Sequence, residues 1–160
     1  MIVYHGTTLS AARQIRKIGL IPHRETAFNT MRSDNGWKLR DESGNTPMEN
    51  EPRVYVTRRK DVAEMFAQFR AQYERAKPGE ALPWGGLKLI KLGRTQRKAN
   101  PAIVELDIPE DIQLETDVQA DMFDGLTCQC PIPADYVKAV KPLTFTMRNP
   151  AAFVSQDYDV

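Results

Sequence analysis

The chain of 160 residues is 41% hydrophobic and 27% charged, ordinary globular values that exclude disordered, collagen-like and coiled-coil classes. Its 22 Lys and Arg against 21 Asp and Glu give a net charge of +1, so no global field steers it onto nucleic acid or an anionic membrane, and either partner would need a local patch. No apolar run reaches the roughly 18 residues of a membrane span, and Met1-Ile2-Val3-Tyr4-His5 lacks a leader pattern, so one cytoplasmic domain over residues 1–160, without membrane association, is expected.

Met1 to Tyr4 is a short β-prone run. After His5-Gly6-Thr7-Thr8, the stretch Leu9 to Ile18 places Leu9, Ala12, Ile15 and Ile18 on one helical face, with Thr8 as N-cap and Gly19 as stop. From His23 to Pro52 no helical or strand period lasts, and the segment reads as a long polar loop. Arg53-Val54-Tyr55-Val56-Thr57 reads as a strand, followed by a helix from about Lys60 to Ala76 whose Val62, Phe66, Phe69 and Tyr73 share a face.

Pro83-Trp84-Gly85-Gly86 punctuates the chain before a candidate strand from Leu87 to Leu92 and a basic run containing Lys88, Lys91, Arg94, Arg97 and Lys98. That run suits either an anionic partner or a lysine-protected sheet edge. Ala102 to Ile108 alternates apolar and acidic residues from Val104 onward, a strand with one buried face, and Tyr136 to Phe145 is β-prone but interrupted by Pro142. The order strand, helix, strand, helix and further strands predicts an α+β domain.

Cys128 and Cys130, one residue apart, suit neither a stapling disulfide nor the paired spacing of structural zinc, so a reducing compartment and no metal are expected. GxGxxG and P-loop patterns are absent, so a nucleotide would have to be held another way. His5 stands where a strand meets a Gly-Thr-Thr break, as a structural histidine or as a rigid, accessible site residue. Gly6 beside it reads as a tight turn or as a place where a ligand approaches the backbone. Tyr55 lies just before the second helix and Phe66 eleven residues on, as core residues or as two rings facing across a slot. Between Lys98 and Lys138 there is no Lys or Arg, while Glu105, Asp107, Glu110, Asp111, Glu115, Asp117, Asp121 and Asp124 accumulate.

Tyr4-His5-Gly6-Thr7 before a short helix ending in Gly-Leu, then Val54-Tyr55-Val56-Thr57 with Ala63 and Phe66-Ala67 in the next helix, resembles the ADP-ribosyltransferase superfamily of the His-Tyr-acid, diphtheria-toxin-like type. Ile132-Pro133-Ala134-Asp135-Tyr136-Val137 resembles the closing strands of that fold in small bacterial members such as the rifamycin ADP-ribosyltransferases. The resemblance covers 3–22, 53–76, 102–118 and 130–145.

The resemblance implies a fold of split small β-sheets with flanking helices and a co-substrate, NAD. By it, His5 bonds a ribose hydroxyl, the Gly6 backbone pairs with the nicotinamide carboxamide, Thr7 belongs to the same NAD-binding motif, and Tyr55 stacks on the nicotinamide. Phe66 stands where toxin-like members carry a second stacking tyrosine. The catalytic acid follows a strand and a loop of variable length; Asp117 is chosen from the Glu115-Thr116-Asp117 exit, with Glu105, Glu115, Asp121 and Asp124 as alternatives. Arg24, Arg32, Lys38 and Arg40 of the long loop are candidates for the pyrophosphate.

The implied activity is transfer of ADP-ribose from NAD to an acceptor, expected to be a host protein of a bacterial or phage effector. Transfer to a nucleic acid or an antibiotic-like molecule, RNA 2′-phosphotransfer, and a non-catalytic binding module of the same fold are the alternatives.

Overall fold

The computed structural model describes residues 1–22, 53–77, 80, 98–117 and 124–146. In chain order these form β1 (Ile2–Thr8), α1 (Leu9–Ile18), β2 (Val54–Thr57), α2 (Lys60–Arg75), β3 (Pro101–Asp107), β4 (Glu115–Thr116), β5 (Gly125–Cys128), a 3-10 turn (Ala134–Tyr136) and β6 (Val137–Pro142). The architecture is α+β, with six antiparallel strands in the order β4-β5-β2-β1-β3-β6. The described strands join in one sheet rather than two, and one junction is slight. β1 runs its whole length against β3, from Ile2↔Asp107 to Thr8↔Pro101, but meets β2 only at Tyr4↔Thr57.

The expected helix caps are formed. Thr8 Oγ1 accepts from the Ala11 amide at 3.4 Å, relieving one of the unpaired donors at the start of α1. Gly19 ends the helix at φ +83°, and its amide donates to the Ile15 carbonyl. A Cβ at Gly19 would collide with the carbonyl of Ile132, which the isolated bridge Leu20↔Ile132 brings beside the helix end.

Strand alternation sends the two faces of the sheet to different helices. Val3, Val54, Val56, Val104, Leu106 and Leu126 pack with Ala12 and Ile15 of α1, while Tyr4 and Ile103 pack with Ala63 and Ala67 of α2. β3 is therefore covered on both sides, and Pro101 to Val104 are all buried, where the sequence pattern predicts one buried face. Two helical expectations are corrected. Ile18 is 61% exposed, because α1 turns it past the edge of the core. On α2 the alanines 63 and 67, rather than Phe66 and Phe69, meet the sheet, and those two rings lie half-buried at the flanks.

The reason is Gly6. A Cβ there would overlap the carbonyl oxygen of Ala63 and come within 2.8 Å of the Ala67 amide, so the α2 backbone sits directly on β1. β6 is outermost among the described strands, with Pro142 at its last position, where a missing amide costs no central ladder bond. The His23–Pro52 loop, the Leu87–Leu92 strand and the basic run apart from Lys98 lie outside the described residues. No helix among the described residues is long and apolar enough to cross a membrane.

Candidate active site

The slight junction between β1 and β2 brings two sequence motifs together. His5 Nδ1 lies 2.7 Å from the backbone carbonyl of Tyr55. A carbonyl only accepts, so Nδ1 is the donor of this bond. The contact spans 50 positions and ties the first strand to the second just beyond their single register pair.

Gly6 does not form a tight turn. It lies in β1 opposite Ile103, and the space of its absent side chain is filled by α2. Thr7 is buried at the end of the same strand, beside Thr8, whose hydroxyl caps α1. Tyr55 alternates with Val54 and Val56 of the α1 face, so it points to the face that α2 covers. Phe66 is half-buried on that helix, between Ala63 and Ala67 in sequence. The phenol-bearing strand and the Phe66-bearing helix thus share one side of the sheet.

The acids separate by register. Glu115 pairs with Thr127, which pairs with Tyr55, so these three form one row across β4, β5 and β2. Two residues on, the Asp117 amide donates to the Gly125 carbonyl at 2.9 Å, and Gly125 is paired with Thr57. Asp117 is 4% exposed. Glu115, by contrast, has a side chain 71% exposed and lies 3.3 Å from the Arg53 guanidinium. Asp124 takes a left-handed backbone, φ +55°, and pairs with Arg58 at 3.4 Å. Glu105 lies on β3 opposite Tyr4 and faces Lys141 of β6, so β1 stands between it and β2. Asp121, Arg24, Arg32, Lys38 and Arg40 lie outside the described residues.

Sequence reasoning missed two members of this neighbourhood. Thr127 is fully buried, and its hydroxyl donates to the Val54 carbonyl at 2.8 Å, fastening β5 to β2. Arg53 precedes β2 and reaches across to β4 through Glu115. The four residues Gly125-Leu126-Thr127-Cys128 carry no strand period long enough to read; only pairing with β2 makes them a strand. At the end of β5 the Cys128 thiol donates to the Cys130 carbonyl at 3.1 Å, and burial pushes that thiol above its ordinary range. Among the described residues no three His, Cys, Asp or Glu side chains gather as a metal-binding group.

Comparison of the chain with protein-family models, curated proteins and solved structures returns no match.

Proposed function

We propose that this protein is an NAD-dependent mono-ADP-ribosyltransferase of the His-Tyr-acid type, with an ADP-ribosyltransferase-like fold. The observation that carries the reading is the hydrogen bond from His5 to the Tyr55 carbonyl, which unites the two motifs of the resemblance at the place where β1 and β2 part. Alternation puts His5 on the α1 side with Val3 and Val104 and Tyr55 on the α2 side, so in this reading NAD reaches across the parting of β1 and β2. Nε2 of His5 accepts from a ribose hydroxyl, the Gly6 and Thr7 segment lines the carboxamide end, and Tyr55 with Phe66 flanks the nicotinamide ring.

The reaction breaks the bond between the nicotinamide nitrogen and ribose C1′. The electron pair goes to the nitrogen, which becomes neutral as nicotinamide leaves, and the acceptor nucleophile bonds to C1′ and releases one proton. Positive charge accumulates on the ribose in the transition state, so a fixed carboxylate lowers the barrier. Asp117 is the acid of choice because it is buried, where its charge is screened least. Glu115 is already neutralised by Arg53 and stands largely in solvent.

The test is nicotinamide release and transfer of labelled ADP-ribose in a cell lysate, for wild type, His5→Ala, Asp117→Asn and Glu115→Gln. Asp117→Asn is expected to lower the rate roughly 10²- to 10³-fold, with Glu115→Gln within about tenfold of wild type. The reverse order would move the catalytic role to Glu115. No nicotinamide release and no NAD binding by wild type would sink the enzyme reading in favour of a binding module.

A further inference from the structure

The described arginines divide into two groups. Every one outside α1 has a partner: Arg53 with Glu115, Arg58 with Asp124, Arg59 with Asp61, Arg70 with Glu74, and Arg75 with the Ala99 carbonyl and the Asn100 side chain. Arg13 and Arg16, with Lys17 beside them, are exposed and make no ion pair among the described residues. Asp135, on the 3-10 turn that packs against α1, forms no ion pair with any of the three.

Helical geometry gathers these cations. Positions 13, 16 and 17 stand at i, i+3 and i+4, neighbours roughly 5–6 Å apart on one face. Ser10 and Gln14 are exposed on the same side, and α1 contains no acid at all. A favourable helix dipole accounts for Arg16 and Lys17 in the last turn. It does not account for Arg13, which lies a turn earlier, nor for the absence of any compensating carboxylate among the described residues.

We propose that this face of α1 binds the phosphate backbone of a nucleic acid. Guanidinium groups match phosphate oxygens two at a time, and hydroxyl and amide side chains supply the remaining backbone contacts. An acidic protein surface fits less well, because protein interfaces centre on buried apolar anchors; here the stripe from Ser10 to Lys17 is polar, and the exposed Ile18 lies at its end. The net charge of +1 is compatible, since the cations are concentrated locally. α1 begins at the residue after Thr8, so Arg13 lies about 7 Å and Lys17 about 13 Å along the helix from the end of the His5 strand. That the bound strand is also the ADP-ribose acceptor rests on the function proposed above.

The experiment measures fluorescence anisotropy of the full chain with labelled 20-nucleotide single-stranded DNA, RNA and duplex DNA across a salt series. The variant is Arg13→Gln/Arg16→Gln/Lys17→Gln, with Arg13→Glu alone as a second variant and the exposed pair Lys60→Ala/Lys138→Ala as a surface control. Wild type is expected to bind at 50 mM salt, the triple variant at least tenfold more weakly, and the slope of log affinity against log salt to fall by about 2 to 3, at roughly 0.7 to 0.9 per phosphate contact. Arg13→Glu is expected to weaken binding too, and the control to leave it unchanged.

Absence of binding by wild type, equal binding by both α1 variants, or equal loss in the control would overturn the proposal. So would polyglutamate competing as effectively as the oligonucleotide, which would assign the face to an acidic protein. Nicotinamide release is read on the same samples. Oligonucleotide binding without release would refute the transferase reading and leave the surface standing; release with labelled protein and no oligonucleotide binding would do the opposite.

Discussion

The two faces of the sheet are built on different principles. On the α1 face, branched aliphatic side chains from β1, β2, β3 and β5 interlock with Ala12 and Ile15 and set helix and sheet apart by their own thickness. On the α2 face, Gly6, Ala63 and Ala67 let backbone lie on backbone, with Tyr4, Ile103 and Leu143 packed around that contact. The first face depends on volume and the second on the absence of it. The second face also carries Tyr55, so close contact of α2 with β1 decides how near Phe66 comes to the phenol strand.

The comparison predicts opposite sensitivities. The largest stability effect belongs to the aliphatic face: Leu106→Ala removes a fully buried side chain and is expected to cost about 2–5 kcal/mol in denaturant unfolding, with Leu106→Met recovering most of it. A loss under 1 kcal/mol would mean that this face collapses around cavities.

Next comes Gly6→Ala, where adding one methyl is expected to destabilise by about 1–3 kcal/mol and, under the proposed function, to weaken NAD binding as α2 is pushed away. The obstacle is the Ala63 carbonyl rather than its side chain. Trimming the helix in Gly6→Ala/Ala63→Gly is therefore expected to restore nothing, and recovery in that double variant would show that side chains, not backbones, set the spacing.

The smallest effect lies at the sheet edge common to both faces. Glu105→Gln breaks a long, partly solvated pair with Lys141 and is expected to change stability by less than about 1 kcal/mol and to leave nicotinamide release at the wild-type rate. A large loss of activity would bring Glu105 back as the catalytic acid, although it lies on the far side of β1 from Tyr55.

The site was legible in pieces. His5 and Gly6 stood out where a strand meets a Gly-Thr-Thr break, and Tyr55 and Phe66 by their eleven-residue spacing from strand to helix. The helix is one reason for the glycine, and no local pattern reveals it, since Ala63 is 57 positions away. Asp117 was one acid among several, and only its burial and its place beyond β4 separate it from Glu115. The basic residues of α1 were visible as letters, but the fact that they alone among the described arginines lack partners emerges only once the acids have been placed.

By itself the sequence determined what local forces govern: α1 with its Thr8 cap and Gly19 stop, the span of α2, the first half of β1, the strands at β2, β3 and β6, and the α+β class. Each depends on side-chain period, capping chemistry and backbone preference within a few residues. The tertiary structure decided the strand order, the short strands β4 and β5, the burial of both faces of β3, and the meeting of His5 with the Tyr55 carbonyl. Those depend on contacts between residues far apart in the chain, where hydrogen-bond pairing and close packing outweigh what any four-residue stretch prefers.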